Sequence, residues 1–190
     1  MTVESVLIVS NTSSTMGIVS DFMRSENISR IATAQNGAQA RRTIMESDFE
    51  LIVIDTPLPD EMGDDLAVTA AGKTTAGVIL IVDHGMVFEV GERVEDYGVF
   101  ALSKPTTPDF FYQAAKLLCV SRRRLQNLEN ENQRLQKKIE EIRLVDRAKL
   151  VLIQVLKMTE PQAQHYIEKQ SMDLRQNRFL TAENILRIYG

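Results

Sequence analysis

A chain of 190 residues with 44% hydrophobic and 25% charged positions is long enough to bury a real core, and its 9 Gly and 5 Pro exclude disordered or collagen-like sequence. One cysteine, Cys119, and two histidines, His84 and His165, exclude an intrachain disulfide and a zinc cluster. The net charge of -4 conceals a segregation, -10 over residues 1–115, +6 over 116–157 and zero over 158–190, which suits a polyanionic partner or, more simply, a solvated helix face. No apolar run approaches the ~18 residues that cross a bilayer, and the first residues lack a basic n-region. The expectation is a cytoplasmic protein with no membrane contact, no metal and no cofactor.

In chain order, Val6 to Val9, Leu51 to Ile54 and Val78 to Val82 read as buried strands, short, rich in β-branched residues and apolar on both faces. Met16 to Arg24, Ala38 to Met45 and Leu66 to Ala71 have helical spacing, and Val99 to Leu102 suits a late strand. Strands alternating with helices predict an α/β fold, a doubly wound parallel sheet with its working residues at the carboxyl ends of the strands. Asp55 stands at such an end.

From Pro108 the pattern becomes continuous helix. Leu118, Ser121, Leu125, Leu128, Asn132, Leu135, Ile139 and Ile142 alternate spacings of three and four, a heptad seam with Leu118, Leu125, Asn132 and Ile139 at a. Asn132 favours a parallel, in-register homodimer, and Arg124 at g can reach Glu129 at e of the partner subunit. The alternative is an amphipathic helix packed on its own chain. With about three heptads the coil is marginal alone, so flanking domains must help hold it. Beyond Leu156, Thr159, Pro161 and Gln162 form a capping box opening a helix to about Arg175, and Thr181 can cap a last helix from Ala182 to Tyr189. The tail is three helices, and its outward cations are Arg143, Arg147, Lys149, Lys157, His165, Lys169, Arg175 and Arg178. Ala148, Leu152, Val155, Leu156, Ala163, Ile167, Leu174, Leu180, Ile185 and Leu186 read as core. Tyr166 can stack on an unpaired base or sit in that core, and Gln162 and Gln164 can read base edges or be helix surface.

Asp55-Thr-Pro-Leu-Pro59-Asp-Glu-Met-Gly63, with Lys104-Pro105 after the late strand, resembles the receiver domain of two-component response regulators over residues 1 to 118. The resemblance implies Asp55 as a phosphoryl acceptor, Lys104 as its counter-charge and a magnesium ion held by Asp55 and an acidic pair after the first strand. Magnesium is a hard cation that wants several carboxylates. Ser10 and Asn11 stand where that pair should be, Val82 replaces the expected hydroxyl residue, and Ala101 occupies the aromatic switch position. The expectation is a pseudo-receiver, probed by Asp55 and Lys104 as a structural ion pair, that serves dimerisation or docks a regulatory protein. Asp60, Glu61, Asp64 and Asp65 read as a solvated acidic turn.

Ala148-Lys149, Leu152-Ile153, Thr159-Glu160, Ala163, Tyr166-Ile167, Ser171-Met172, Arg175, Leu180, Ala182 and Ile185 resemble the ANTAR domain of bacterial transcription antitermination regulators. One departure is Ser171 for a common Ala, expected to be neutral in packing. The resemblance implies three parts, a receiver-like domain over 1–118, a coiled-coil stem over 119–145 and an RNA-binding three-helix all-α domain over 146–190. It also implies leader RNA with tandem hairpins as partner, with a terminator prevented from forming. Arg147, Lys149, Tyr166 and Arg175 are its first candidates for RNA contact, Lys169 and Arg178 the next, and Leu125, Leu128, Asn132, Leu135, Ile139 and Ile142 the dimer seam. The competing readings are a DNA-binding response regulator and a protein-interaction adaptor. No nucleophile, zinc or phosphate-loop constellation points to an enzyme.

Overall fold

The computed structural model describes residues 3–12, 15, 17, 19, 22 and 28–190. Five strands, β1 (Ser5–Val9), β2 (Arg30–Ala34), β3 (Leu51–Asp55), β4 (Gly77–Asp83) and β5 (Val99–Lys104), form a wholly parallel sheet in the order 2-1-3-4-5. The expected strands form, and the last runs two residues further. β2 has no counterpart in the sequence reading, because this edge strand, Arg-Ile-Ala-Thr-Ala, buries only Ala34 fully and so lacks an apolar run. Strand order reverses between β1 and β3, which opens a crevice beyond their carboxyl ends. Asp55 closes β3 at that crevice.

Helices α1 (Gly37–Glu46) and α2 (Asp64–Lys73) enlarge the expected segments by one or two residues at each end. α3 (Val87–Val94) was not legible as a helix, being eight residues with Gly91 inside and only Val90 and Val94 buried. The helix expected over Met16 to Arg24 has both ends outside the described residues; Val19 and Phe22 between them are helical and buried. One face of the sheet, with Leu7, Ile52, Ile54, Val78 and Leu80, packs on Leu66, Ala67 and Ala70 of α2 and on Val90 and Val94. The other, with Ile8, Val53, Ile79 and Ile81, packs on Val19, Phe22 and the start of the long helix α4 (Pro108–Leu156) at Phe111, Ala114 and Ala115.

The acidic turn is not idle. Both oxygens of Asp60 accept from the first amides of α1, Gly37 N at 2.9 Å and Ala38 N at 3.0 Å, where a helix exposes unpaired N–H groups. Glu61 pairs with Arg41 through two bonds, and Asp64 meets Arg93 at 3.1 Å. These acids tie the loop after β3 to α1 and α3.

The chain divides into compact units at 1–126 and 127–190. In the second, the end of α4 packs with α5 (Glu160–Asp173) and α6 (Arg178–Tyr189) around Ala148, Leu152, Ala163, Ile167, Ala182 and Ile185. Thr159 N donates to Gln162 Oε1 at 2.9 Å in the expected capping box. The last helix starts four residues early, because Asn177 rather than Thr181 caps it and accepts from Leu180 N at 2.9 Å. Thr181 is buried instead, with its hydroxyl 3.0 Å from that of Ser171 and 3.1 Å from Gln176 Nε2. Ser171 also donates to the Ile167 carbonyl at 2.7 Å, so it bonds where an alanine would only pack. Val155, Leu156, Leu174 and Leu180, expected inside, are exposed. Helical spacing marks an apolar stripe without saying whether a small unit has neighbours enough to cover it.

Among the described residues no helix is long and apolar enough to cross a membrane. Gly77 opens β4 where α4 passes closest, and a Cβ there would lie 2.8 Å from Leu118 Cγ, inside contact distance. Gly77→Ala is expected to lower stability by ~1–3 kcal/mol through overpacking, measured by urea unfolding. Gly72→Ala, in helix α2 with nothing within 4 Å of the added atom, is expected to raise stability by ~0.5–1 kcal/mol.

Candidate functional site

Two places gather the chemistry-bearing residues. The first is the crevice at Asp55, whose side chain is 2% exposed. Three hydroxyls donate to Oδ2: Ser10 Oγ at 2.8 Å, Thr12 Oγ1 at 2.7 Å and Thr15 Oγ1 at 2.7 Å. Lys104 Nζ stands 2.7 Å from Oδ1 and also donates to the Thr56 carbonyl. Asp83 approaches that ammonium at 3.9 Å. Burial alone would push the Asp55 carboxyl up, but the Lys104 bond and then the Thr15, Thr12 and Ser10 bonds outweigh it and hold the group below the ordinary carboxylate value.

The sequence reading paired Asp55 with Lys104 but missed Thr12 and Thr15. The signal was a stretch with five hydroxyl residues in six directly after β1, Ser10-Asn11-Thr12-Ser13-Ser14-Thr15, at the carboxyl end of the strand beside β3. Val82 lies in the apolar core and lines a cavity of about 110 Å³ with Leu80, Met86 and Val90, so it presents no hydroxyl to Asp55. Ala101 packs against the same core. The donor set around Asp55 does not fit a magnesium ion: it holds one carboxylate, three neutral hydroxyls and a cation against the second oxygen, where a hard divalent ion needs several anionic oxygens.

The second place is the basic surface of residues 127–190. Arg147, Lys169, Arg175 and Arg178 are exposed. Lys149 is mostly covered, bonded to Asp146 at 2.8 Å and 3.9 Å from Glu160; the Asp146 bond raises its ammonium above the usual lysine value. Arg178 meets Glu168 at 3.2 Å, and Glu168 accepts from Gln164 at 2.8 Å. Lys149, Arg178 and Gln164 line one groove of about 360 Å³, with Ile142, Val145 and Phe179 as its apolar part. Of the two places open to Tyr166, the ring takes the core side: it is partly buried, and burial followed by the neighbouring Tyr189 hydroxyl raises its phenol.

Arg175 ends α5 at φ 50° and Lys157 ends α4 at φ 54°, a left-handed conformation in which glycine is usual and other residues are strained. In this small unit both such positions carry a cation.

The seam residues Leu125, Leu128, Leu135, Ile139 and Ile142 are each between 49% and 59% exposed. Leu118, the first a position, is not among them, because it packs on the first unit's core. After Ile142 the next a and d positions are Asp146 and Lys149, bonded to each other, while Leu144, Val145, Ala148 and Leu152 turn inward.

Residues 6–116 match the response regulator receiver domain family, and residues 133–186 match the ANTAR domain family. The chain is 28% identical over 173 residues to the transcriptional regulatory protein PdtaR of Mycobacterium tuberculosis, across 90% of this chain and 84% of that one. Among solved structures it is similar to a CheY-like response regulator receiver domain protein of Methanospirillum hungatei JF-1, with TM-score 0.57, 18% identity, 65% of this chain and 98% of that one. It is equally similar to a chain described as an adenylate cyclase of Rhodopirellula baltica, with TM-score 0.58, 19% identity, 71% of this chain and 98% of that one. At such identities these two likenesses establish the fold alone.

Because the Asp55 carboxyl titrates below its unfolded value of about 4, its contribution to stability is complete above that pH and is lost as pH falls through the lower folded value. Asp55→Asn is therefore expected to be less stable than the native chain by ~1–3 kcal/mol near neutrality, with the gap closing in acid, as read by urea midpoints from pH 7 to pH 3. Arg175→Gly is expected to raise stability by about 1 kcal/mol while weakening any polyanion bound there, so that unfolding and binding move in opposite directions.

Proposed function

From the premise that the chain belongs to the response regulator receiver family and ends in an ANTAR domain, and so to the RNA-binding antitermination regulators, we propose that it acts as a parallel homodimer. Two copies zip through Leu125, Leu128, Asn132, Leu135, Ile139 and Ile142, each tail grips one of two adjacent hairpins in a nascent leader RNA, and the terminator fails to form. The receiver serves pairing or docks a regulatory protein, with Asp55 left unphosphorylated. Arg147, Lys169, Arg175 and Arg178 meet phosphates, and Lys149 and Gln164 act from the groove they share with Arg178. Tyr166 contributes mainly by holding the core that positions them.

The observation that carries this reading is the placing, on one helix, of an exposed apolar seam that runs into the region matching the ANTAR family, whose cations Arg147, Lys169, Arg175 and Arg178 are exposed. Burying each Leu or Ile of the seam would contribute ~1.5–3 kcal/mol relative to full exposure, and a second copy supplies the matching stripe. Joining two tails makes the second hairpin contact intramolecular, which can raise affinity ~100-fold when the spacing fits. An unphosphorylated Asp55 is supported by its hydroxyl and lysine partners and by the poor match of that donor set to magnesium. The family regulates rather than catalyses, so the function lies in what is bound.

The test is a filter-binding titration of tandem-hairpin, single-hairpin and duplex DNA probes. The expected result is preference for tandem RNA over both others, with log K falling at a slope of roughly -3 to -4 in log salt, for four or five phosphate contacts. The double variant Leu135→Glu with Ile139→Glu is expected to be monomeric by sedimentation, to lose the tandem preference and to keep single-hairpin affinity. Preference for duplex DNA, or labelling of Asp55 by acetyl phosphate with magnesium, would overturn the corresponding half of the reading.

A further inference from the structure

We propose that the last heptad of the seam forms a cationic collar which takes RNA phosphate from both copies at once, so that RNA binding and chain pairing strengthen each other. The inference rests on the RNA-binding dimer above and adds to it a regulation, in which the leader RNA is itself the agent that closes the coil.

Register decides which charges meet across the seam. With a at Leu125, Asn132 and Ile139 and d at Leu128, Leu135 and Ile142, a parallel pair sets each g residue opposite the e residue five positions later on the other chain. The first such contact joins Arg124 to Glu129 of the partner subunit, which is attractive. The second joins Glu131 to Gln136 of the partner subunit, which is neutral. The third sets Lys138 against Arg143 of the partner subunit, and twofold symmetry repeats it, so four cations crowd the last turns of the seam. Nearby charges of like sign oppose pairing, and at this range salt screens them only partly.

No ion pair among the described residues neutralises these cations. Among the described residues Lys137, Lys138, Arg143 and Arg147 form no ion pair, whereas Arg134 meets Glu131 at 3.7 Å and Lys149 meets Asp146 at 2.8 Å. Glu140 and Glu141 fall at b and c, just outside e and g, and Glu141 lines one groove with Lys138 and Ile142, yet neither is within ion-pair distance of Lys138 or Arg143. The seam also stops here, since Asp146 and Lys149 at the next a and d bond to each other and the helix turns its other face into the three-helix core. The uncompensated cations therefore stand where the apolar stripe ends, beside the outward cations of the tail.

Closely spaced phosphates supply what the collar lacks, and an RNA stem carries such a row along its backbone. An RNA that neutralises Lys138 and Arg143 of both copies removes the repulsion that opposes pairing. By linkage, the factor by which RNA tightens the dimer equals the factor by which dimer formation tightens RNA binding. The chain would pair weakly when free and firmly when a leader with two hairpins is present.

The experiment measures the dimer dissociation constant of the full chain by sedimentation equilibrium, with and without a synthetic RNA of two adjacent hairpins. RNA is expected to lower that constant ~10-fold or more, within the usual range of such coupling. Arg143→Glu gives Lys138 an opposite charge to face. It is expected to pair more tightly than the native chain without RNA and to lose most of the RNA dependence. Arg187→Glu, an exposed cation at the far end of α6, is expected to leave RNA-free pairing unchanged. RNA that binds but leaves the native dissociation constant unaltered, or an Arg143→Glu chain that pairs no more tightly than the native one, overturns the coupling while the RNA-binding reading stands. A native chain that neither pairs nor binds the RNA overturns both.

Discussion

A helix of 49 residues cannot hide its apolar side chains against one neighbour, and the organisation of this chain follows from how α4 distributes them. At its start Phe111, Ala114, Ala115 and Leu118 cover one face of the sheet. At its end Leu144, Val145, Ala148 and Leu152 close the three-helix core. Between these segments the Leu and Ile of the seam remain about half exposed. The inward face near Ala148 is turned by roughly a third of a revolution from the stripe ending at Ile142, because side chains step ~100° per residue. The three-helix core is therefore built without consuming the seam, and the stripe stays available to a second stripe of the same kind.

The acidic front half obeys a different constraint. A carboxylate as buried as Asp55 needs compensation for lost hydration, and Lys104 and three hydroxyls provide it. Those hydroxyls come from the end of β1 and the segment just after it, so the compensation ties β1, β3 and β5 together at the crevice. Asp60, Glu61 and Asp64 do the same for the loop after β3 by reaching α1 and α3. Four of the acids that look like idle surface charge in a composition are thus structural ties, and the crevice at Asp55 joins three strands.

What could be read from sequence follows the same physics. β1, β3 and β4 were legible because central strands buried on both faces must be apolar throughout, and Asp55 followed from its place at the end of one of them. β2 was not, because an edge strand with one covered face needs few apolar residues, and α3 was not, because two buried valines in eight residues make no period. Lys104 could be paired with Asp55 because the strand-end Asp followed by a distant Lys-Pro resembles the receiver family, in which the two meet. Thr12 and Thr15 could not, since a hydroxyl residue suits caps, turns and surfaces equally well. The same ambiguity misplaced the last helix start: Asn177 and Thr181 are both able caps, and only packing shows that Thr181 is buried against Ser171. In the tail, periodicity located the helices but over-counted the core, because Leu174 and Leu180 belong to stripes that the small unit does not cover.

Three features of residues 138–175 run against what stability alone would select. Lys157 and Arg175 hold left-handed positions where glycine would be relaxed, and in the proposed parallel pair Lys138 would face Arg143 of the partner subunit where opposite charges would join the chains. An arrangement shaped only by folding would place glycine at the first two and an acid at the third. Each departure instead puts a positive charge on a surface that a folded nucleic acid can reach, within or beside the region matching the ANTAR family. Taken singly, each could be a local accident of sequence. Their shared sign and confinement to one region are what the proposed RNA-bound pair would account for together, since an anionic ligand there would offset both the strain and the repulsion.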